Sequence, residues 1–139
     1  DMVIQRARIE LGMLAVATSW ARFGYPDELF SADEIALGIH GGDIETSIML
    51  AARPDTVDMT QAENFPSLQQ DMRRDMKHLR AYGPHRIGWM MHDLNADGVT
   101  GNAGAATAEK GKAVIAHQSS GFIELLEDVS SFDIQLFKR

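Results

Sequence analysis

Apolar side chains at Val3, Ile4, Ala7 and Leu11 recur at helical spacing, and Gln5, Arg6, Arg8 and Glu10 fill the rest of the wheel. This pattern predicts an opening amphipathic helix that Gly12 ends. Met13–Ala17 then runs apolar without alternation up to Thr18 and Ser19, the signature of a strand covered on both faces. Helix, glycine and doubly buried strand form the α-to-β half of a βαβ unit, which predicts an α/β fold. Asp1–Ile4 reads as helix interior, and the strand that would precede it is not in the sequence. Residues 1–139 are therefore expected to be one portion of a larger domain.

Further along, an aromatic-rich connection over 20–30 turns at Pro26-Asp27. Ser31 followed by Glu34 is a capping box and predicts a short helix to about Leu37. A glycine-rich loop, Gly38 to Asp43, leads into a helix that starts near Asp43 and stops at Arg53-Pro54, with Ile44, Ile48, Leu50 and Ala51 on its buried side. Residues 55–75 read as irregular and polar. The segments 78–82 and 86–91 read as extended around Gly83-Pro84, and 93–104 as a turn-rich loop. The longest helix is expected over 105–129, packing through Val114, Ile115, Phe122, Ile123 and Leu126.

Composition narrows the function classes. A chain of 139 residues supports one domain with a modest core. Thirteen basic against twenty acidic residues give a net charge of −7. That argues against a nucleic-acid partner, which needs clustered Lys and Arg. The one dense basic patch, Arg73, Arg74, Lys77 and Arg80 with Arg86 nearby, is interrupted by Asp71 and Asp75. The chain has no cysteine, which excludes a disulfide framework or a thiol nucleophile and fits a cytoplasmic location. No apolar run approaches the roughly 18 residues of a membrane span.

Two stretches carry candidate chemistry. Asp93-x-Asn95-x-Asp97-Gly98 matches the opening of a calcium loop, but the twelfth position, which must supply a bidentate carboxylate, is Gly104. An Asx-and-glycine turn is the better reading. The second stretch is His40-Gly-Gly-Asp-Ile-Glu45. Its glycines admit close backbone approach. His40 sits in the loop, and Glu45 falls in the first helical turn, where the backbone dipole favours a carboxylate. Both are placed to face one cleft at the end of a sheet. The competing reading is a solvent-exposed histidine and a helix-capping glutamate. His78, His85, His92 and His117 are scattered, Ser19 and Ser47 lack a nucleophile elbow, and Met49, Met90 and Met91 suit core filling.

The run Ile39–Asp58, IHGGDIETSIMLAARPDTVD, and the later run Gly98–Gly111, GVTGNAGAATAEKG, together resemble the C-terminal half of the creatininase (creatinine amidohydrolase) family. The resemblance implies a parallel-sheet α/β/α sandwich, incomplete in this chain, with residues 1–139 forming the C-terminal portion of a single domain. It implies a metal-dependent hydrolase of a cyclic or linear amide C–N bond, with two divalent metals, zinc or manganese, and assembly as a homo-oligomer, a hexamer in the family. By the same resemblance His40 matches a catalytic histidine that shuttles a proton to the leaving nitrogen. Glu45 matches an acidic residue of that pocket, either a metal ligand or a partner of His40. The family's E-x-H-G segment and its Gly-His-Gly-Gly-Asn-like turn do not occur in residues 1–139, so most metal ligands are expected from a missing N-terminal segment of the domain. Glu34–Gly38 lacks the tryptophan of the members that process creatinine, so the resemblance leaves the small-molecule amide substrate open. The alternative is a non-catalytic subunit or interaction module that retains a relic loop.

Overall fold

The computed structural model describes residues 2–138. In chain order its helices are α1 (Met2–Leu11), α2 (Ala32–Leu37), α3 (Asp43–Ala52), α4 (Leu68–Asp75), α5 (Met91–Leu94) and α6 (Ala108–Ser131). Two short strands, β1 (Asn64–Phe65) and β2 (Gly101–Asn102), pair antiparallel with Asn64 opposite Asn102. Two compact units result. One comprises the residues up to Tyr25 with those from Ala116 onward, the other Pro26–Ile115.

In the first unit the opening helix forms as its periodicity requires. Gly12 takes φ 67°, and its N–H closes on the Arg8 carbonyl at 3.2 Å. The expected strand over 13–19 is not there: these residues have no ladder and stand largely exposed. A strand is defined by its neighbour, and among the described residues no segment pairs with this one. Trp20, Phe23 and Phe122 form an aromatic cluster with centroids 5.5–6.5 Å apart. Buried Gln118 donates to the Gly24 carbonyl at 3.0 Å. Ile123 and Leu126, expected as packing residues, are half exposed, because no described residues cover that face of α6.

The second unit holds the core. Met72, Ala81 and Leu94 are buried together, with Ile39, Ile87, Trp89 and Met91 packed on them. The helix α4 lies inside the stretch read as irregular. Its start signal is Ser67, whose hydroxyl accepts from Gln69 N–H at 3.2 Å, with Asp71 in its first turn and Arg73 and Arg74 in its last. Around Gly83-Pro84 the expected extended pair reduces to one bridge between Arg80 and Arg86. It is locked by Trp89 Nε1 donating to the Ala81 carbonyl at 2.7 Å.

The first turns of α6 pack on α3 through a buried polar knot. Ser47 Oγ donates to Asp43 Oδ1 at 3.0 Å and accepts from Thr107 N–H at 3.1 Å. Lys110 Nζ donates to Asp43 Oδ2 at 2.6 Å and to the Ala105 carbonyl at 3.0 Å. The close approach needs Gly111, where a Cβ would overlap the Ser47 carbonyl. Gly111→Ala is therefore expected to cost about 1–3 kcal/mol in urea unfolding, as overpacking does. Gly88→Ala, at a position with open space around it, is expected to stay within about 0.5 kcal/mol of the parent, as surface changes do.

Candidate active site

The site is built where α3 begins. Its N-cap is Gly42, which has no side chain to satisfy the helix's leading N–H groups. The carboxylate of Glu34, buried on α2, does this instead. Glu34 Oε1 accepts from Ile44 N–H at 3.3 Å, and Oε2 accepts from Asn102 N–H at 2.9 Å. Ser31, the N-cap of α2, accepts from Glu34 N–H at 3.0 Å. The expected reciprocal capping box is thus only half realised, because the glutamate side chain has left for the next helix. Gly41, at φ 70°, sits against Val99, and a Cβ at Gly42 would run into Glu34 Oε1. The paired glycines are what let the loop fit here.

His40 is pinned through its backbone. Thr100, fully buried, donates its N–H to the His40 carbonyl at 2.8 Å, and its hydroxyl accepts from Ile39 N–H at 3.1 Å. The His40 ring then stands beside Glu45, with Nδ1 3.2 Å from Oε2. The same Oε2 accepts from Gly41 N–H at 2.7 Å. Thr46 Oγ1 donates to the Gly41 carbonyl at 3.0 Å. The two predicted site residues are therefore brought together, and with 59% and 54% of their side chains exposed both can meet a solute.

They line an open cleft of about 330 Å3 whose other walls include Met49 of α3 and Val57 and Asp58 of the returning chain. That is the lower end of small-molecule sites. Sequence reasoning missed Asp58. Its Oδ1 accepts both Thr60 N–H at 3.0 Å and Thr60 Oγ1 at 2.6 Å. The hydroxyl first, then the backbone N–H, hold this carboxyl below the usual aspartate range against a small opposing effect of burial. The Asp-x-Thr spacing at the end of the IHGG run was the available signal.

The other histidines lie elsewhere. The His78 and His85 rings meet edge to face at 5.8 Å, and His92 is exposed beside Asp93. In the other unit His117 Nε2 lies 3.1 Å from the Phe23 carbonyl. The calcium-like stretch is a turn: Asn95 Oδ1 accepts from Asp97 N–H at 2.8 Å, and Asp93 Oδ2 accepts from Met90 N–H at 2.7 Å. Among the described residues no three His, Asp or Glu side chains converge as metal ligands. Structural and catalytic metal centres take three or four, so His40 and Glu45 by themselves do not fit one.

A family model described as creatininase, creatinine amidohydrolase, matches residues 1–126. The chain belongs to the creatininase family. A search of curated proteins returns no significant match. Among solved structures, the chain is similar to a protein described as a creatinine amidohydrolase from Bacteroides fragilis, at 22% identity and a TM-score of 0.70. That match covers 96% of this chain and 50% of the other. It is also similar to a creatinine amidohydrolase (creatininase) at 22% identity and a TM-score of 0.62, covering 96% and 50%. A manganese form of creatininase matches at 22% identity and a TM-score of 0.61, covering 91% and 48%. The α/β creatininase fold is thereby established, and the chain spans about half the length of these structures. Among the described residues no helix is long and apolar enough to cross a membrane.

Two outcomes check this geometry. Glu34→Ala strands the Ile44 and Asn102 N–H groups and is expected to lower the unfolding free energy by about 2–6 kcal/mol, since each donor left unpaired costs about 1–3. Amide exchange at Ile44 and Asn102 should quicken in step. For Asp58, the folded chain binds the proton less readily than the unfolded one. Its contribution favours the folded form above the unfolded titration range and is lost as pH falls through the folded value. A carboxyl-detected NMR titration should place Asp58 below ordinary aspartate, and Thr60→Val, which keeps the backbone donor and removes the hydroxyl, should move it upward.

Proposed function

We propose that this chain supplies the proton-transfer half of a metal-dependent amidohydrolase that cleaves a cyclic or linear amide C–N bond. The observation that supports the reading most is the His40 ring beside the Glu45 carboxylate at 3.2 Å, in a cleft and within the IHGG…VD run. Hydrolysis adds water across the bond: the carbonyl carbon gains OH and the nitrogen gains H. His40 takes a proton from the water as its oxygen adds to the carbonyl carbon, and delivers one to the nitrogen as the C–N bond breaks. Glu45, fixed by Gly41 N–H, orients the ring through Nδ1 and faces the positive charge that the ring carries between the two transfers.

In this reading residues 1–139 are the C-terminal portion of a single creatininase-like domain. The divalent metal, zinc or manganese, is held by ligands contributed from outside these residues. The protein is cytoplasmic, works as a homo-oligomer of the hexameric kind, and takes a small-molecule amide.

The test joins residues 1–139 to the N-terminal half of the fold and measures amide hydrolysis and bound metal. His40→Ala is expected to lower turnover by about a hundred- to ten-thousand-fold with metal content unchanged, the usual contribution of a general acid–base group. Glu45→Gln is expected to lower turnover and keep the metal; loss of metal would make Glu45 a ligand instead. Full activity in both variants would remove the site from this cleft and favour a non-catalytic module.

A further inference from the structure

We propose that Asp58 is a specificity-determining residue of this cleft: through Oδ2 it accepts an N–H of the substrate and turns away groups that carry a carboxylate. The inference rests on the cleft being the substrate site. It starts from how the two Asp58 oxygens are used. Both donors of Thr60 land on Oδ1, so the turn fixes the carboxylate, and no donor among the described residues reaches Oδ2.

The lining adds a second constraint. Its charged side chains are the carboxylates of Glu45 and Asp58, with His40 the only basic group and no lysine or arginine among the lining residues. Glu45 is committed to Gly41 and His40. Asp58 is thus the lining carboxylate that is not tied to the proton-transfer pair, and a fixed acceptor discriminates strongly by leaving the wrong partner without a hydrogen bond. An anionic group here would face two carboxylates, whereas an amide, amine or amidinium N–H finds a fixed acceptor. Met49 and Val57 supply apolar wall on which the remainder of a small ligand can lie.

The test uses three small probes of one shape: acetamidinium, acetamide and acetate. Each is titrated into the protein and followed by the backbone amide NMR shifts of Gly41 and of residues 57–60. Acetamidinium and acetamide are expected to shift these signals saturably, and acetate at least fivefold more weakly. Asp58→Asn keeps an Oδ1 acceptor for Thr60 and converts Oδ2 into an NH2 donor. It should weaken acetamidinium at least fivefold and bring acetate up to or past it, while the shifts of the remaining residues stay at their parent positions and show the fold intact. His40→Ala should leave the order of the probes unchanged, so a failure of the proton-transfer reading does not touch this result. Equal binding of acetate and acetamidinium in the parent, or an unchanged order in Asp58→Asn, would overturn the proposal.

Discussion

One buried carboxylate organises this protein. Glu34 takes the N–H of Ile44 at the start of α3 and the N–H of Asn102 in β2. It thereby ties α2, α3 and the distant β2 to one point. The space around it admits only glycine: a Cβ at Gly38, Gly42 or Gly101 would meet the Glu34 side chain. The arrangement satisfies an interior carboxyl group and capless backbone donors at once, each of which alone would be costly to bury. With α3 and the strand region fixed this way, Thr100 reaches both sides of the His40 backbone. The imidazole thereby inherits its position from Glu34 and Thr100, neither of which touches the cleft.

A second fastening acts at the start of the same helix. Asp43 is the first residue of α3, and its two oxygens take Ser47 Oγ and Lys110 Nζ. Asp43 and Glu45 are both acidic residues of the first turn of α3, where the backbone dipole favours negative charge, yet they do different things. Asp43 is buried and holds α6 to α3; Glu45 is half exposed and holds His40. Charge is placed at this helix end once for packing and once for chemistry.

The sequence made legible what depends on local signals. The span of α3 follows from the glycines before it and Arg53-Pro54 after it. The His40–Glu45 pairing follows from a loop histidine and a first-turn glutamate five positions apart, with two glycines between them. Glu34 was legible only as a capping residue, because its real partners are 10 and 68 positions away and no local pattern encodes them. The helix α4 was missed although Ser67 marks its start, since its apolar positions are too few for periodicity to show. The strand expected at 13–19 failed for the opposite reason. An apolar run specifies that a segment wants burial, and pairing requires a neighbour that the run itself does not name.

The cleft is therefore a local object held by distant clamps. All its lining residues fall between His40 and Asp58, within the glycine loop, the one helix it leads into and the turn that follows. Pro54 cannot continue α3, so Arg53 ends the helix and the chain doubles back. Thr56 closes that turn twice on the Arg53 carbonyl, through its N–H at 3.0 Å and its hydroxyl at 2.8 Å. The Arg53 guanidinium meets Asp55 at 2.7 Å. The reversal carries Val57 and Asp58 back along α3 to stand beside Met49 and Glu45. Contacts so close in sequence carry little loop-closure cost, which leaves the precision of the site to the two long-range anchors, Glu34 and Thr100. A change in the turn alters what the cleft recognises, and a change in the anchors alters whether His40 is in place to act.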